Sequence, residues 1–141
     1  PGDTVLDVGT GSGILAIAAL KLGASHVDAV DVETVAVRAT QDNAERNGVS
    51  DRLDVRLGSV GSGEPFQGTY DVVLANIIAR ILIELSDAIV AATKPGGAIV
   101  LAGIILEREA EVIAAFEQRG ARVANRRQHD DWVSLVLRNR G

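Results

Sequence analysis

Apolar and polar positions along the chain fall into short runs of two alternating kinds. TVLDV (residues 4–8) is an apolar run with the length of a buried strand, and GILAIAALKLG (13–23) has the length of a helix and ends on a glycine suited to a C-cap. HVDAVDV (26–32) predicts a second strand. TVAVRATQDNAERNG (34–48) opens on Thr34 as a candidate N-cap, carries Ala and Val on one face and stops at Asn47-Gly48; RLDVRLG (52–58) predicts a third strand. GSVGSGEPFQGTY (58–70) is rich in Gly and Ser and reads as a surface connection, not a domain linker. Beyond it come YDVVLAN (70–76) as a buried strand, ARILIELSDAIVAATK (79–94) as an amphipathic helix, PGG (95–97) as a turn and AIVLAGI (98–104) as the next strand. EREAEVIAAFEQRG (107–120) predicts a charged helix closed by Gly120. ARVANRRQ (121–128) and DWVSLVLR (131–138) follow each other too closely for a parallel crossover, which predicts an antiparallel hairpin at a sheet edge. Strands alternating with helices across short breaks specify an α/β domain, a largely parallel sheet covered by helices.

Composition narrows this picture. At 141 residues the chain has the size of one domain, and with 47% apolar but 3% aromatic residues its core must be built from Val, Ile, Leu and Ala. Intrinsic disorder is excluded. The absence of Cys removes disulfides, thiolate metal sites and cysteine nucleophiles, and is compatible with a cytoplasmic location. No apolar run reaches the length of a membrane span, and the N-terminus lacks the pattern of a signal peptide, so a soluble protein is expected. The net charge of −5, with no basic cluster interleaved with aromatics, argues against direct nucleic-acid binding and suits a basic partner better.

The candidate chemistry sits in VLDVGTGSGILAIAALKLGA (5–24). A glycine-rich turn between a strand and a helix brings backbone N–H groups and the positive end of the helix dipole up to a ligand with no Cβ in the way. The spacing is Gly9-x-Gly11-x-Gly13, and Ile14 fills the place where a dinucleotide fingerprint has its last glycine. Asp7 beside the loop would repel a pyrophosphate and favour a ligand carrying an ammonium or sulfonium. Asp31, 22 positions after Gly9 at the end of the second strand, stands where a carboxylate accepts hydrogen bonds from both ribose hydroxyls. S-adenosylmethionine has the ribose and both cations and no phosphate. The bland alternative is a tight turn, with Asp7 a structural carboxylate bonded to its own loop.

On these residues the chain resembles the class I methyltransferases that use S-adenosylmethionine, over essentially its whole length. DVGTGSGILAIAALKLGA, NAERNGVSDRL, VVLANI and DWVSLVLR resemble more narrowly the catalytic domain of the PrmA family, methyltransferases of ribosomal large-subunit protein eleven. The resemblance implies a three-layer Rossmann-like domain over residues 1–141, with a seven-stranded, mostly parallel sheet of order 3-2-1-4-5-7-6 and an antiparallel last strand. It implies methyl transfer to amine nitrogens of that ribosomal protein, lysine and N-terminal amines, with another protein, a small molecule or mere cofactor binding on the same fold as alternatives. It further implies that Gly9 and its neighbours Thr10, Gly11 and Gly13 contact the methionine end, that Asp31 holds the ribose, and that Asn76 stands beside the transferred methyl as a positioning group. Ser59 occupies a place where many relatives carry an acidic residue for adenine, so the contact there is expected to be a hydroxyl, a backbone group or absent. Asn76 is followed by Ile77-Ile78 instead of Pro-Pro and an aromatic, which favours a flexible amine over a flipped base as acceptor. The family carries an upstream segment and a separate substrate-binding domain, so a chain opening at Pro1 is expected to be a fragment.

Displacement at a sulfonium has a good neutral leaving group, so orientation and desolvation carry it and no metal is expected. Asn76 also reads as a cap for the helix near Ala79. His129, Asp130 and Asp131 read as a polar hairpin corner without chemistry, Arg126-Arg127 as a charged strand edge, and Trp132 as packing on the sheet edge with an acceptor-pocket role as the alternative.

Overall fold

The computed structural model describes residues 2–141, leaving Pro1 outside. The strands are β1 (Thr4–Val8), β2 (His26–Asp31), β3 (Leu53–Leu57), β4 (Tyr70–Asn76), β5 (Thr93–Ile105), β6 (Ala121–His129) and β7 (Trp132–Asn139). The helices are α1 (Ile14–Lys21), α2 (Thr34–Arg46), α3 (Ala79–Ala91) and α4 (Glu109–Glu117). The seven strands form one sheet in the order β3-β2-β1-β4-β5-β7-β6. β1 through β5 pair in parallel, and β7 runs antiparallel to both β5 and β6. The order and the direction of β7 are those expected from the sequence.

The sheet separates two apolar layers. Val5, Val27, Ala29 and Leu53 face α1 and α2 through Ala16, Ile17, Leu20 and Ala44. Leu6, Val8, Val73, Ile99 and Leu101 face α3 and α4 through Leu82, Ile89, Val112 and Phe116. β1 is buried on both faces, so its last four residues, all buried, include apolar side chains pointing each way, and the odd one is Asp7. α1 and α2 end alike: the amides of Gly23 and Ala24 bond back to Leu20 and Ala19, and those of Gly48 and Val49 to Glu45 and Ala44, a Schellman closure in each case.

Several boundaries differ from the sequence reading, each for a local reason. Thr34 is the first residue of α2 and not its cap; Glu33 holds that place with no side-chain cap bond. The PGG segment does not precede the strand but lies within β5, looped out where the β4–β5 register slips between the Tyr70–Thr93 and Val72–Ala98 pairs. α3 therefore stops at Ala91. A 3-10 turn, Leu106–Arg108, replaces the expected first turn of α4. The 58–70 connection has no regular structure yet is anchored, because Val60 is buried in the α3-side core with Phe66 packed against it. The hairpin corner is a two-residue turn at Asp130-Asp131, with Asp130 at φ +54°. Among the described residues no helix is long and apolar enough to cross a membrane.

Candidate functional site

The strand order reverses between β1 and β4. The chain leaves β1 toward α1 on one face and β4 toward α3 on the other, so a crevice opens at the carboxyl ends of these two strands. A cavity of about 280 Å³ lies there, walled by Gly9, Asp31, Ser59 and Asn76 together with Val32, Ile77, Ile81 and Leu85. Residues from the carboxyl ends of four strands, β1 to β4, or the turns just past them, spread over 67 sequence positions from Gly9 to Asn76, thus share one wall. Asp7, Thr10, Gly11 and Gly13 are not part of it.

The glycine turn works differently from the expectation that its amides face a ligand. The N–H groups of Gly9 and Thr10 both donate to the Val30 carbonyl at 2.9 Å, that of Gly13 donates to the Thr10 carbonyl at 2.9 Å, and that of Gly11 donates to Asp31 Oδ2 at 2.9 Å. The amides of Ser12, Ile14 and Leu15, at the entry to α1, are the ones without a protein partner among the described residues. Gly9 serves by lacking a side chain: a Cβ on it would lie 2.5 Å from Ile77 Cγ2 and close the gap between the β1 and β4 ends. Two residues that the sequence reading missed brace the turn from α2. The Thr40 hydroxyl donates to the Gly11 carbonyl and the Asn43 amide to the Ser12 carbonyl, both at 2.9 Å. The signal available for them was a pair of polar side chains three positions apart on the inward face of α2, beside buried Ala44.

Asp7 is 1% exposed and accepts a hydrogen bond from the Thr10 hydroxyl at 2.9 Å through Oδ2, while Oδ1 makes no full hydrogen bond and has the Ala16 amide as its weak neighbour. Burial pushes its carboxyl up to about pKa 7; the Thr10 hydroxyl and the Ala16 amide offset part of that, and the charge of Asp31 adds to it. Asp7 and Thr10 thus form a buried pair beneath the turn. Of the two readings of Asp7, the geometry fits the structural carboxylate.

Asp31 lies at the cavity edge and is held on both oxygens, by the Gly11 amide and by the Glu33 amide at 3.0 Å. Each oxygen keeps a lone pair for a hydroxyl arriving from the cavity. The Ser59 amide is already bonded to Glu64 Oε1 at 3.0 Å, which leaves the Ser59 hydroxyl and carbonyl, not its N–H, to meet a ligand.

Asn76 does not cap α3. Ile78 holds the N-cap position without a side-chain bond, and the Asn76 amide group makes no hydrogen bond among the described residues. Its Oδ1 lies against Gly103, where a Cβ would be 2.6 Å away. Gly103 adopts φ +78° at a bulge, because Ala102 and Gly103 together face Ser134 between the Leu101–Leu135 and Ile104–Val133 pairs. Past Gly103 an open groove continues, bordered by Arg127, His129, Ser134 and Trp132, whose indole is 54% exposed instead of packed.

The comparisons with known proteins agree with this geometry. The family model for ribosomal protein L11 methyltransferase (PrmA) matches residues 1–140. A ribosomal protein L11 methyltransferase of Chloroflexus aurantiacus is 42% identical over 160 aligned positions, covering 98% of this chain and 49% of its own length. The chain spans about half the length of the curated relatives it matches. Among solved structures, the ribosomal protein L11 methylase of Lactobacillus delbrueckii superposes with a TM-score of 0.88 at 31% identity, covering all of this chain and 72% of that one. An RNA methyltransferase of Salinibacter ruber in complex with S-adenosyl-L-homocysteine shares the fold at 18% identity and a TM-score of 0.72. With the strand order, the crevice at its reversal and a match from one end of the sequence to the other all in agreement, the chain belongs to the ribosomal protein L11 methyltransferase (PrmA) family.

Proposed function

We propose that this chain binds S-adenosylmethionine in the β1–β4 crevice and directs its methyl group to amine nitrogens of ribosomal protein L11, lysine and N-terminal amines. The observation that carries the reading is the single cavity wall formed by Gly9, Asp31, Ser59 and Asn76. The cofactor fits the residues present: the missing Cβ of Gly9 leaves a cradle, Asp31 keeps acceptor capacity for two ribose hydroxyls, and Val32, Ile81 and Leu85 offer an apolar surface to a base.

When bound, S-adenosylmethionine supplies an electrophilic methyl on a sulfonium. The chain's own share is orientation. An attacking amine must be neutral, and Asn76 Oδ1 accepts one of its N–H bonds and aims the lone pair along the line of displacement. Asn76 is free to do so because neither α3 nor any other described group claims its amide. Transfer would exchange the C–S bond of the sulfonium for the new N–C bond, and the open groove beside Gly103 would leave the alkylated amine a path to solvent for the proton it sheds. Trp132 borders that groove and gives the aliphatic stem of an amine a flat surface to lie against.

Equilibrium dialysis with labelled S-adenosylmethionine against NAD tests the first half: the former binds and the latter does not, and comparable affinity for NAD would sink the cofactor assignment. Labelled methyl incorporation into ribosomal protein L11, set beside another protein and a small amine, tests the second. Incorporation into every acceptor alike would leave the cofactor and remove the substrate.

A further inference from the structure

The second cluster of chemically capable side chains lies at the opposite end of β2 from Asp31. Alternation along β2 puts His26 and Asp28 on one face, and the parallel register sets Asp28 directly opposite Asp54 of β3. Two carboxylates facing each other across a strand pair repel. His26 Nε2 is 3.0 Å from Asp28 Oδ1 and 3.2 Å from Asp54 Oδ2, and the three ligand atoms all lie within 4.8 Å of one another. One N–H cannot serve two carboxylates well, and among the described residues no Lys or Arg pairs with either. The neighbouring arginines are turned elsewhere, Arg52 to the Ala24 carbonyl at 3.2 Å and Arg56 to the face of Phe66 at 5.4 Å. The other oxygen of Asp28 is fixed by the Tyr70 hydroxyl, which donates to it at 2.6 Å from the start of β4.

We infer that His26, Asp28 and Asp54 form a binding site for a divalent transition-metal cation of the zinc type. A tetrahedral ion with N and O ligands at about 2.0–2.1 Å has ligand–ligand edges of about 3.3 Å, within a few tenths of both His26 separations. One imidazole and two carboxylates suit zinc better than magnesium or calcium, which take oxygen alone. Three protein ligands leave a fourth position for water. Tyr70 plays the part of an outer partner that holds a ligating carboxylate in place. The bound ion cancels the Asp28–Asp54 repulsion and ties the edge strand β3 to β2. This site is independent of methyl transfer and lies at the other end of the sheet from the crevice.

Calorimetric titration of Zn²⁺ into the chelator-treated chain, without a histidine tag, tests the inference. One equivalent binds with micromolar or tighter affinity and raises the thermal midpoint. His26→Gln and Asp54→Asn each weaken binding by more than about tenfold and abolish the thermal shift. His129→Gln, at the exposed hairpin corner, changes neither. Both altered ligands are partly or largely exposed, so the variants fold. Absence of saturable binding, or affinity indifferent to His26→Gln, overturns the site and leaves the cluster as a histidine–carboxylate ion pair only. Loss of binding in His129→Gln would place any zinc at the hairpin and overturn it equally.

Discussion

Asp7 sits in the apolar body of β1, where a negative charge is costly, and its carboxyl is raised from 3.8 to about 7. The native state therefore holds this proton more tightly than the unfolded chain does. The stability linked to it is fully present below pH 3.8 and is lost as pH rises toward 7. At about 1.4 kcal/mol per unit, the loss approaches about 4 kcal/mol. Asp7→Asn keeps an acceptor for Thr10 and removes the charge, so urea unfolding should give a variant whose stability is flatter between pH 4 and pH 7 and higher than the parent's at pH 8. A parent curve of the same slope would place the titration elsewhere. Asp31 acts differently. Asp31→Ala removes the acceptor of the Gly11 and Glu33 amides together with the proposed ribose contact, each charge-assisted bond being worth roughly 1.5–3 kcal/mol. Cofactor affinity measured by dialysis should fall more than stability measured by urea, and undiminished binding would free Asp31 of the ribose. Asp31 and Gly9 are legible in the sequence because strand ends and glycine turns have fixed spacings, whereas Asn76 is picked out by the family resemblance and not by spacing. Thr40 and Asn43 are not, because their partners are carbonyls about 30 residues away and nothing local marks a polar helix residue as reaching a loop.

At the scale of elements, the bulge in β5 connects sheet geometry to the site. The extra residue between Leu101 and Ile104 turns Gly103 out of the ladder and beneath Asn76, so the position of one amide depends on a miscount between β5 and β7. Gly103→Ala would place a methyl 2.6 Å from Asn76 Oδ1, at a φ costing an L-residue about 1–2 kcal/mol. The amide must rotate away. Methyl transfer should drop while cofactor binding, whose other proposed contacts are Gly9, Asp31 and Ser59, holds; an unchanged rate would remove Asn76 from the proposed reaction. Such a bulge is invisible to apolar patterning, since AIVLAGI reads as an unbroken strand. The same blindness misplaces PGG, because proline and glycine announce a turn without saying whether the strand resumes its pairing on both sides. Helix ends are read better, since Gly23, Gly48 and Gly120 mark where backbone carbonyls run out of helical partners.

For the whole molecule, the feature that matters is the central place of the strand nearest the N-terminus. β1 has its neighbours at β2 and at β4, so Val5 pairs with Val72, and a polypeptide still emerging from synthesis cannot close the crevice until β4 has been made. The segment up to β3 has mostly local partners, whereas the β1–β4 and β5–β7 pairings carry the loop-closure cost. The cavity wall inherits that order of events: Gly9 and Asp31 can assemble early, whereas Ser59, whose neighbour Val60 is buried against α3, and Asn76 arrive with the long-range step. In refolding experiments, recovery of ligand binding should lag the first appearance of secondary structure and coincide with protection of the β1 and β4 amides from hydrogen exchange. The pocket is then a record of the β1–β4 pairing, which joins Val5 to Val72, and a ligand that fills it clamps those two strands together across the intervening chain.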